Sequence, residues 1–247
     1  MAITMERNSL HYLAGFSPIR CDTHFKHNMK LADSFFSNQR IDWVALGSAL
    51  EGMRNGMNLN TSFYSMEPTD TLYISVSQVK EYGLTDKNQN YLTDEVKDLD
   101  NFAELEPDMI LVTRSGTVGV ALSTNHPSFD FDNLSYVASG FIVTAHVKTG
   151  LSADIIAGYI NLLSVQRYLT AMAAGACQKN LAQPALLTLP VPEAVLRNPS
   201  EFAHRFETYK TASIDLLAAI LQQESQLAQL KSTLSQEVES LIACLYA

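Results

Sequence analysis

The stretch that decides the fold is MILVTRSGTVGVALS, residues 109–123, in which one apolar run ends at a polar turn and another follows. Met109–Thr113 and Val118–Leu122 have the apolar and β-branched content that is typical of strands. The turn between them carries Arg114 beside a Ser-Gly pair. An arginine in such a turn either buries its guanidinium against a partner or offers it to a ligand.

The surrounding sequence predicts a mixed α+β domain. Strands are also predicted over Thr71–Val76 and Gly140–Val147, and a helix is predicted over Ser152–Met172 with Ser152 as its N-cap. Strands therefore dominate the middle of the domain, and helices flank them. The proline-rich segment LPVPEAVLRNP, residues 189–199, then predicts an extended connection.

The C-terminal segment, residues 200–247, contains neither glycine nor proline, and its apolar residues recur at spacings of three and four. We expect a globular domain over 1–199 and a long helix over 200–247 that pairs in a coiled coil, because one helix cannot bury such a seam alone. The alternative is a helix that breaks in two and folds back on the domain. The residues predicted to mediate dimerisation are Ile220, Leu227, Leu230, Leu234, Val238 and Leu241.

The formal net charge of the 247 residues is -9, which by itself argues against nucleic acid as a partner. The acidity is concentrated, however, because residues 61–110 hold 3 Lys/Arg against 11 Asp/Glu. Three widely spaced cysteines fit neither a disulfide framework nor a zinc site. Without a signal pattern or a membrane-length apolar run, the sequence predicts a cytoplasmic protein with no membrane partner.

No pattern of catalytic or metal-ligating residues stands out, so we predict a protein without catalysis of its own and without a metal. Three polar loops remain, at residues 52–60, at the Arg114 turn and at residues 175–184. Their side chains are of the types that read base edges and hold phosphates. The candidate DNA-binding residues are Arg54, Asn55, Asn58, Arg114, Ser115, Thr117, Gln178, Lys179 and Asn180.

Several motifs, taken in order, resemble the specificity subunit of type I restriction–modification systems. RCDTHF (residues 20–25) is similar to the family's opening segment, and WVALG (43–47) is similar to its "aromatic-x-x-Leu-Gly" entry. LEPDMILVTRSGTVG (105–119) resembles the family's "Leu-x-x-Gly-Asp-Ile-Leu-hydroxyl-Arg-Ser-Gly-x-x-Gly" run, with Pro107 in place of its usual glycine. The segments LYISVSQVKEYGL, GYINLLSVQRYL and GACQKNLAQPALLTLPVP and the long C-terminal helix extend the resemblance over nearly the whole chain.

The resemblance implies a reader of double-stranded DNA that docks a methyltransferase subunit and, where the system has one, a restriction subunit. S-adenosylmethionine and ATP would belong to those partners, and this chain would bind no cofactor. A full specificity subunit has two recognition domains and two spacer helices, whereas this chain has one of each. The resemblance therefore implies a half-subunit that forms a homodimer and reads a bipartite site.

Two questions stay open from the sequence. Arg114 either projects toward DNA or buries its guanidinium against carbonyls or a neighbour such as Asp108. The chain as a whole is either a DNA reader or a non-catalytic interaction protein on the same scaffold, which engages the modification or restriction subunits and binds DNA feebly.

Overall fold

The computed structural model describes residues 23–37, 40–85, 89–173, 179–197 and 199–245. Its helices are α1 (Thr23–Phe36), α2 (Ala153–Ile160), α3 (Leu163–Met172), α4 (Gln183–Leu187), α5 (Glu193–Arg197) and α6 (Pro199–Leu245). The first six strands are β1 (Trp43–Ala45), β2 (Leu50–Asn55), β3 (Tyr64–Ser65), β4 (Thr71–Ile74), β5 (Val79–Lys80) and β6 (Gly83–Leu84). The other six are β7 (Asn90–Leu92), β8 (Met109–Thr113), β9 (Ala121–Ser123), β10 (Ser135–Ala138), β11 (Ile142–Val147) and β12 (Pro190–Pro192).

Two four-stranded sheets form the centre of the domain. The first has the order β2-β11-β8-β9 with antiparallel neighbours, and the second has the order β10-β4-β7-β3 with β10 and β4 parallel. Two short pairs, β1-β12 and β5-β6, accompany them. This arrangement confirms the predicted mixed α+β domain, in which strands occupy the middle of the chain.

The strand β8 is buried on both faces. Ile110 and Val112 pack into a core shared with α1, α2, α3 and α4, whereas Met109 and Leu111 pack into a second core with residues of β4 and β10. Such burial explains why the strand is apolar at successive positions and does not alternate with polar residues. The order of layers is therefore helices, first sheet, second sheet.

The strand predictions have the right places, with shifted ends. Met109–Thr113 is confirmed as a strand with those bounds. The strand predicted over Thr71–Val76 ends two residues earlier, at Ile74, and the strand predicted over Gly140–Val147 begins two residues later, at Ile142. The prediction over Val118–Leu122 is displaced to Ala121–Ser123, because the turn after β8 continues through Gly119 at φ 87°.

The helix predicted over Ser152–Met172 is two helices. Ser152 caps the first one as predicted, and its side chain accepts a hydrogen bond from the Ile155 N–H. The break falls at Asn161, whose side-chain amide bonds the backbone N–H and the carbonyl of Ala121 at 2.9 and 2.8 Å. Asn161 thus takes the hydrogen-bonding place that a further strand would take beside the edge strand β9. This contact joins segments far apart in the chain, so helical periodicity does not encode it.

The proline-rich connection is extended over only part of its length. Residues Pro190–Pro192 form β12 and pair with β1, but Glu193–Arg197 forms the short helix α5. The prediction of an extended segment up to residue 199 was therefore wrong at this point. Glu193 lies in the first turn of the helix, and its carboxylate pairs with Arg197 one turn later at 2.6 Å.

The C-terminal helix α6 is continuous over 47 residues, on the order of 70 Å at 1.5 Å per residue. The alternative of a helix broken in two is therefore wrong. Helix α6 contacts α2 and β6, and its side chains from 222 to 236 are all exposed. Over the ranges that the structure describes, no helix, α6 included, is apolar enough to cross a membrane.

Tyr168 is a buried tyrosine whose hydroxyl has no hydrogen-bond partner among the described residues. Burial raises its pKa to about 12. Tyr168→Phe is expected to leave stability at pH 7 unchanged or higher by about 1 kcal/mol, because no hydrogen bond is lost. In the wild type, the unfolded tyrosine releases its proton near pH 10 while the folded one keeps it, so stability falls as pH rises from 10 to 12. The variant is expected to lose less stability over that range in urea titrations.

Tyr159→Phe is the matched control, because the Tyr159 hydroxyl donates to the Pro190 carbonyl. Removing that hydroxyl is expected to cost about 1 kcal/mol at pH 7. A larger loss at pH 7 for Tyr168→Phe than for Tyr159→Phe would contradict the assignment of Tyr168 as an unpartnered hydroxyl.

Candidate nucleic-acid interface

The ends of several strands meet on one side of the domain. Strands β2 and β8 are both antiparallel to β11, so they run in the same direction and end at the same edge of the first sheet. The parallel strands β4 and β10 end beside them, since the Met57 N–H, just after β2, donates to the Ala138 carbonyl at the end of β10. We call this edge the loop end of the domain.

Backbone hydrogen bonds join four segments in a row across the loop end. The Gly140 N–H donates to the Met57 carbonyl, and the Arg114 N–H donates to the Phe141 carbonyl. The Leu181 N–H then donates to the Arg114 carbonyl, at 2.7 Å. The described parts of the three polar loops that the sequence singled out, together with residues 139–141, therefore lie side by side.

The Arg114 turn is organised by the hydroxyl of Thr113. This hydroxyl donates to the Thr117 carbonyl and accepts a hydrogen bond from the Val120 N–H at 3.0 Å. Ser115 is buried and forms a β-bridge with Asn180, whereas Thr117 is exposed. The serine therefore supports the turn, while Thr117 and the neighbouring Gly116 face outward.

Arg114 itself is half-buried at the centre of the row. Its Nε atom is buried, and it has no hydrogen-bond partner among the residues that the structure describes. A buried donor without a partner costs free energy, so this atom lowers the stability of the domain.

Asp108 is not the partner of Arg114 in the described structure. Asp108 precedes β8 and Arg114 follows it, about 20 Å away along an extended strand. The Asp108 carboxylate accepts a hydrogen bond from the Asn125 side chain at 2.7 Å. Asp108 also adopts φ 60°, directly after Pro107.

The end of β2 and the loop after it carry three candidate residues, and all three are exposed. Asn55 accepts a hydrogen bond from the Gln183 side chain of α4 at 3.1 Å, which ties this loop to the helical layer. The Arg54 guanidinium donates to the Glu104 carbonyl at 3.3 Å. The Asn58 side chain lies against Gly140, where a Cβ atom would overlap it.

The third polar loop contributes Lys179, which is half-buried, and Asn180, which is exposed. Gln178, the remaining candidate, lies outside the described residues. Two residues of the loop end were missed by the sequence analysis, namely Gln183 and the exposed Phe141. Phe141 begins an apolar run that predicts burial, and Gln183 lies 128 positions from its partner, so neither gives a local signal.

The charged candidates at the loop end are basic, and two aspartates lie at the opposite end of the strands, where Lys97 and Lys148 also lie. Arg54, Arg114 and Lys179 belong to the segments of the loop end. Acidic residues precede the strands at the opposite end, with Asp70 directly before β4 and Asp108 directly before β8. The net charge of -9 therefore does not describe the loop end. Among the described residues, no three His, Cys, Asp or Glu side chains cluster as metal ligands would.

Gly56 allows the loop after β2 to approach β10 closely, because a Cβ atom there would overlap the carbonyl oxygens of Ala138 and Ser139. Gly56→Ala is expected to cost about 3 kcal/mol of stability and to displace Asn55 and Asn58. Urea unfolding measures the first effect.

Gly52→Ala is the matched control in the same segment. Gly52 has φ 59° and open space around it, so only the backbone cost of about 1 kcal/mol is expected. Equal costs for the two alanine variants would show that the approach of Gly56 to β10 is not a tight constraint.

Comparison with known proteins identifies the fold. No family model and no curated protein sequence matches the chain. The type IIG restriction endonuclease BpuSI matches with a TM-score of 0.51 at 11% identity, over 79% of this chain and 28% of that one. The structure also matches S subunits of type I restriction–modification systems.

The HsdS subunit from Thermoanaerobacter tengcongensis matches over 84% of this chain and 48% of that one, with 15% identity and a TM-score of 0.48. The S subunit from M. genitalium matches over 69% and 41%, with 17% identity and a TM-score of 0.42. A structure on complex assembly and conformational transition of the type I system matches over 81% and 50%, with 12% identity and a TM-score of 0.45. The chain thus spans about half the length of these type I proteins, and at such identities the likeness concerns the fold.

Proposed function

We propose that the chain is a half-sized specificity subunit that reads the sequence of double-stranded DNA and performs no chemistry itself. In this proposal, residues 1–199 form the target-recognition domain, and the loop end faces the DNA. Residues 200–247 form the spacer that pairs with a second copy. S-adenosylmethionine and ATP would be bound by partner subunits.

The observation that carries the proposal is the joining of the polar loops in one row at the end of the strands. Guanidinium and carboxamide groups suit the major groove, where each base pair presents a distinct set of donors and acceptors. The acidic residues that precede β4 and β8 would point away from the phosphates. The candidate contacts are Arg54, Asn55, Asn58, Arg114, Thr117, Gln178, Lys179 and Asn180, with Ser115 supporting the turn.

Helix α6 supports the dimeric part of the proposal. Leu227, Leu230 and Leu234 lie on one face of the helix and are between 52% and 68% exposed. Leu216, which the sequence analysis did not choose, continues the same face and is 47% exposed. Val238 and Leu241 continue it by helical spacing, and their side chains lie outside the described ones. A second α6 would cover this stripe, and the coiled coil would set the distance between two half-sites.

The same α6 pair would dock the methyltransferase subunit and, where present, the restriction subunit. This part of the proposal rests on the fold and on the ordered motifs of the sequence. The structure on type I complex assembly, which the chain resembles in fold, makes such a complex the natural one to test.

Selection of bound sequences from random duplexes tests the function directly. We expect enrichment of an interrupted, symmetric motif and an affinity that falls steeply as salt rises. Light scattering on the same sample is expected to give the mass of a dimer. A sample that binds DNA without enriching any motif would contradict the proposed reading of sequence.

A second candidate function is favoured by the overall charge. A chain of net charge -9 could engage the modification or restriction subunits without binding DNA strongly. The random-duplex selection repeated with the methyltransferase subunit separates the two functions. An interaction protein is expected to bind that subunit and still enrich no motif.

A further inference from the structure

Phe141 stands out at the loop end because it is an exposed aromatic residue among polar ones. Its side chain is 49% exposed. The other aromatic side chains whose burial the structure describes are buried or half-buried. It precedes the fully buried Ile142, so the exposure is specific to this position and not to the strand.

The backbone around Phe141 is held from both sides. Its carbonyl accepts the Arg114 N–H at 2.9 Å, and its own N–H donates to the Ser139 hydroxyl at 3.3 Å. The preceding Gly140 is covered by the Asn58 side chain. The backbone that carries the ring is therefore fixed between the Asn58 side chain and the Arg114 backbone.

We propose that Phe141 is a specificity-determining residue that packs against the 5-methyl group of a thymine in the major groove. The inference rests on the proposed function, since it assigns a role within the same DNA-facing surface. Thymine is distinguished in the major groove by its methyl group, and apolar side chains are the groups that recognise it. Asn58 and Arg114, which contact the Gly140–Phe141 backbone from either side, supply the polar groups for neighbouring base edges or phosphates.

The test replaces single thymines by deoxyuridine in the selected duplex, which removes one methyl group and keeps the base pairing. For the wild type, we expect one position in each half-site where the substitution weakens binding about four-fold, the typical effect of one buried methyl group. Phe141→Ala is expected to bind more weakly and to lose the thymine preference at that position alone.

Two further variants make the result decisive. Phe141→Tyr keeps the ring and places a hydroxyl at its outer edge, so it is expected to lower the thymine preference while folding normally. Leu187→Ala is the matched control, because Leu187 is an exposed apolar residue that packs against Gly47, ahead of β2, and not at the loop end. It is expected to leave affinity and thymine preference unchanged.

The outcomes are distinct. If the wild type shows no position sensitive to deoxyuridine, or if both folded Phe141 variants keep the wild-type preference, the role of Phe141 is overturned while DNA reading stands. The role is also overturned if the Phe141 variants lose affinity equally for every duplex, whatever the position of the deoxyuridine. If the wild type enriches no motif in the first place, the proposed function fails instead.

Discussion

Replacing Leu230 and Leu234 together with glutamate is expected to convert a dimer into a monomer. Both side chains are more than 60% exposed on the described α6, and a second helix would bury them in the paired state. Four charges would then face each other across a desolvated seam, in place of four leucines. Each buried leucine typically contributes 2 kcal/mol or more, so the dimer dissociation constant should rise at least about 1,000-fold.

Ser225 and Gln236 provide the matched control. Both are exposed on α6, and helical geometry places them opposite the leucine stripe. Changing both to glutamate adds two charges per chain, as the leucine variant does, but is expected to leave the dimer intact. Light scattering and sedimentation over a range of concentrations measure the difference. A wild type that stays monomeric at high concentration would contradict the dimer.

The loss of the dimer should also change DNA binding in a specific way. A monomer with an intact recognition domain would still contact one half-site, but it would lose the gain that comes from linking two contacts. We therefore expect the leucine variant to bind single half-sites like the wild type and to lose its preference for the spaced, symmetric motif.

Arg114→Met is expected to weaken DNA binding about 10- to 100-fold without destabilising the fold. The Nε atom is buried without a partner among the described residues, so in the isolated protein the guanidinium contributes no hydrogen bond through that atom. Methionine keeps the apolar stem of the arginine side chain and removes its hydrogen-bond donors. Thermal unfolding should show an equal or higher midpoint, while fluorescence anisotropy with the selected duplex shows the weaker affinity.

Lys148→Met is the charge-matched control for Arg114→Met. Lys148 follows β11 at the end of the strands opposite to the loop end, and it is half-buried like Arg114. Its removal changes the net charge equally but is expected to change DNA affinity little at physiological salt. If Arg114→Met lowers the unfolding midpoint and leaves DNA affinity unchanged, Arg114 holds the strands together and does not contact DNA.

Much of the local structure could be predicted from the sequence because it depends on neighbours along the chain. The strand over Met109–Thr113 follows from five successive residues suited to a buried strand, and the N-cap at Ser152 follows from one hydroxyl at a helix start. The long helix α6 follows from a segment without glycine or proline. The polar loops were found one by one, from the residue types within each.

Some of the errors arise from contact between distant segments, and others from local turns and short helices that residue preferences do not reveal. Helix prediction over Ser152–Met172 missed the break because Asn161 bonds to β9, 40 positions away. The displaced start of β9 reflects the turn that the Thr113 hydroxyl closes. Phe141 gave no signal of exposure, since the same residue at the start of an apolar strand is ordinarily buried.

The sequence by itself determined the class of the domain, the strand β8 and a helical C-terminal segment with its leucine stripe, since periodicity and composition act within a few residues; that this helix is unbroken was decided by the structure. Only the tertiary structure decided that Met57, Phe141, Arg114 and Leu181 form one row and that the acidic residues before β4 and β8 lie at the other end. Strand direction and pairing fix these positions, and they arise from packing between segments far apart in the chain.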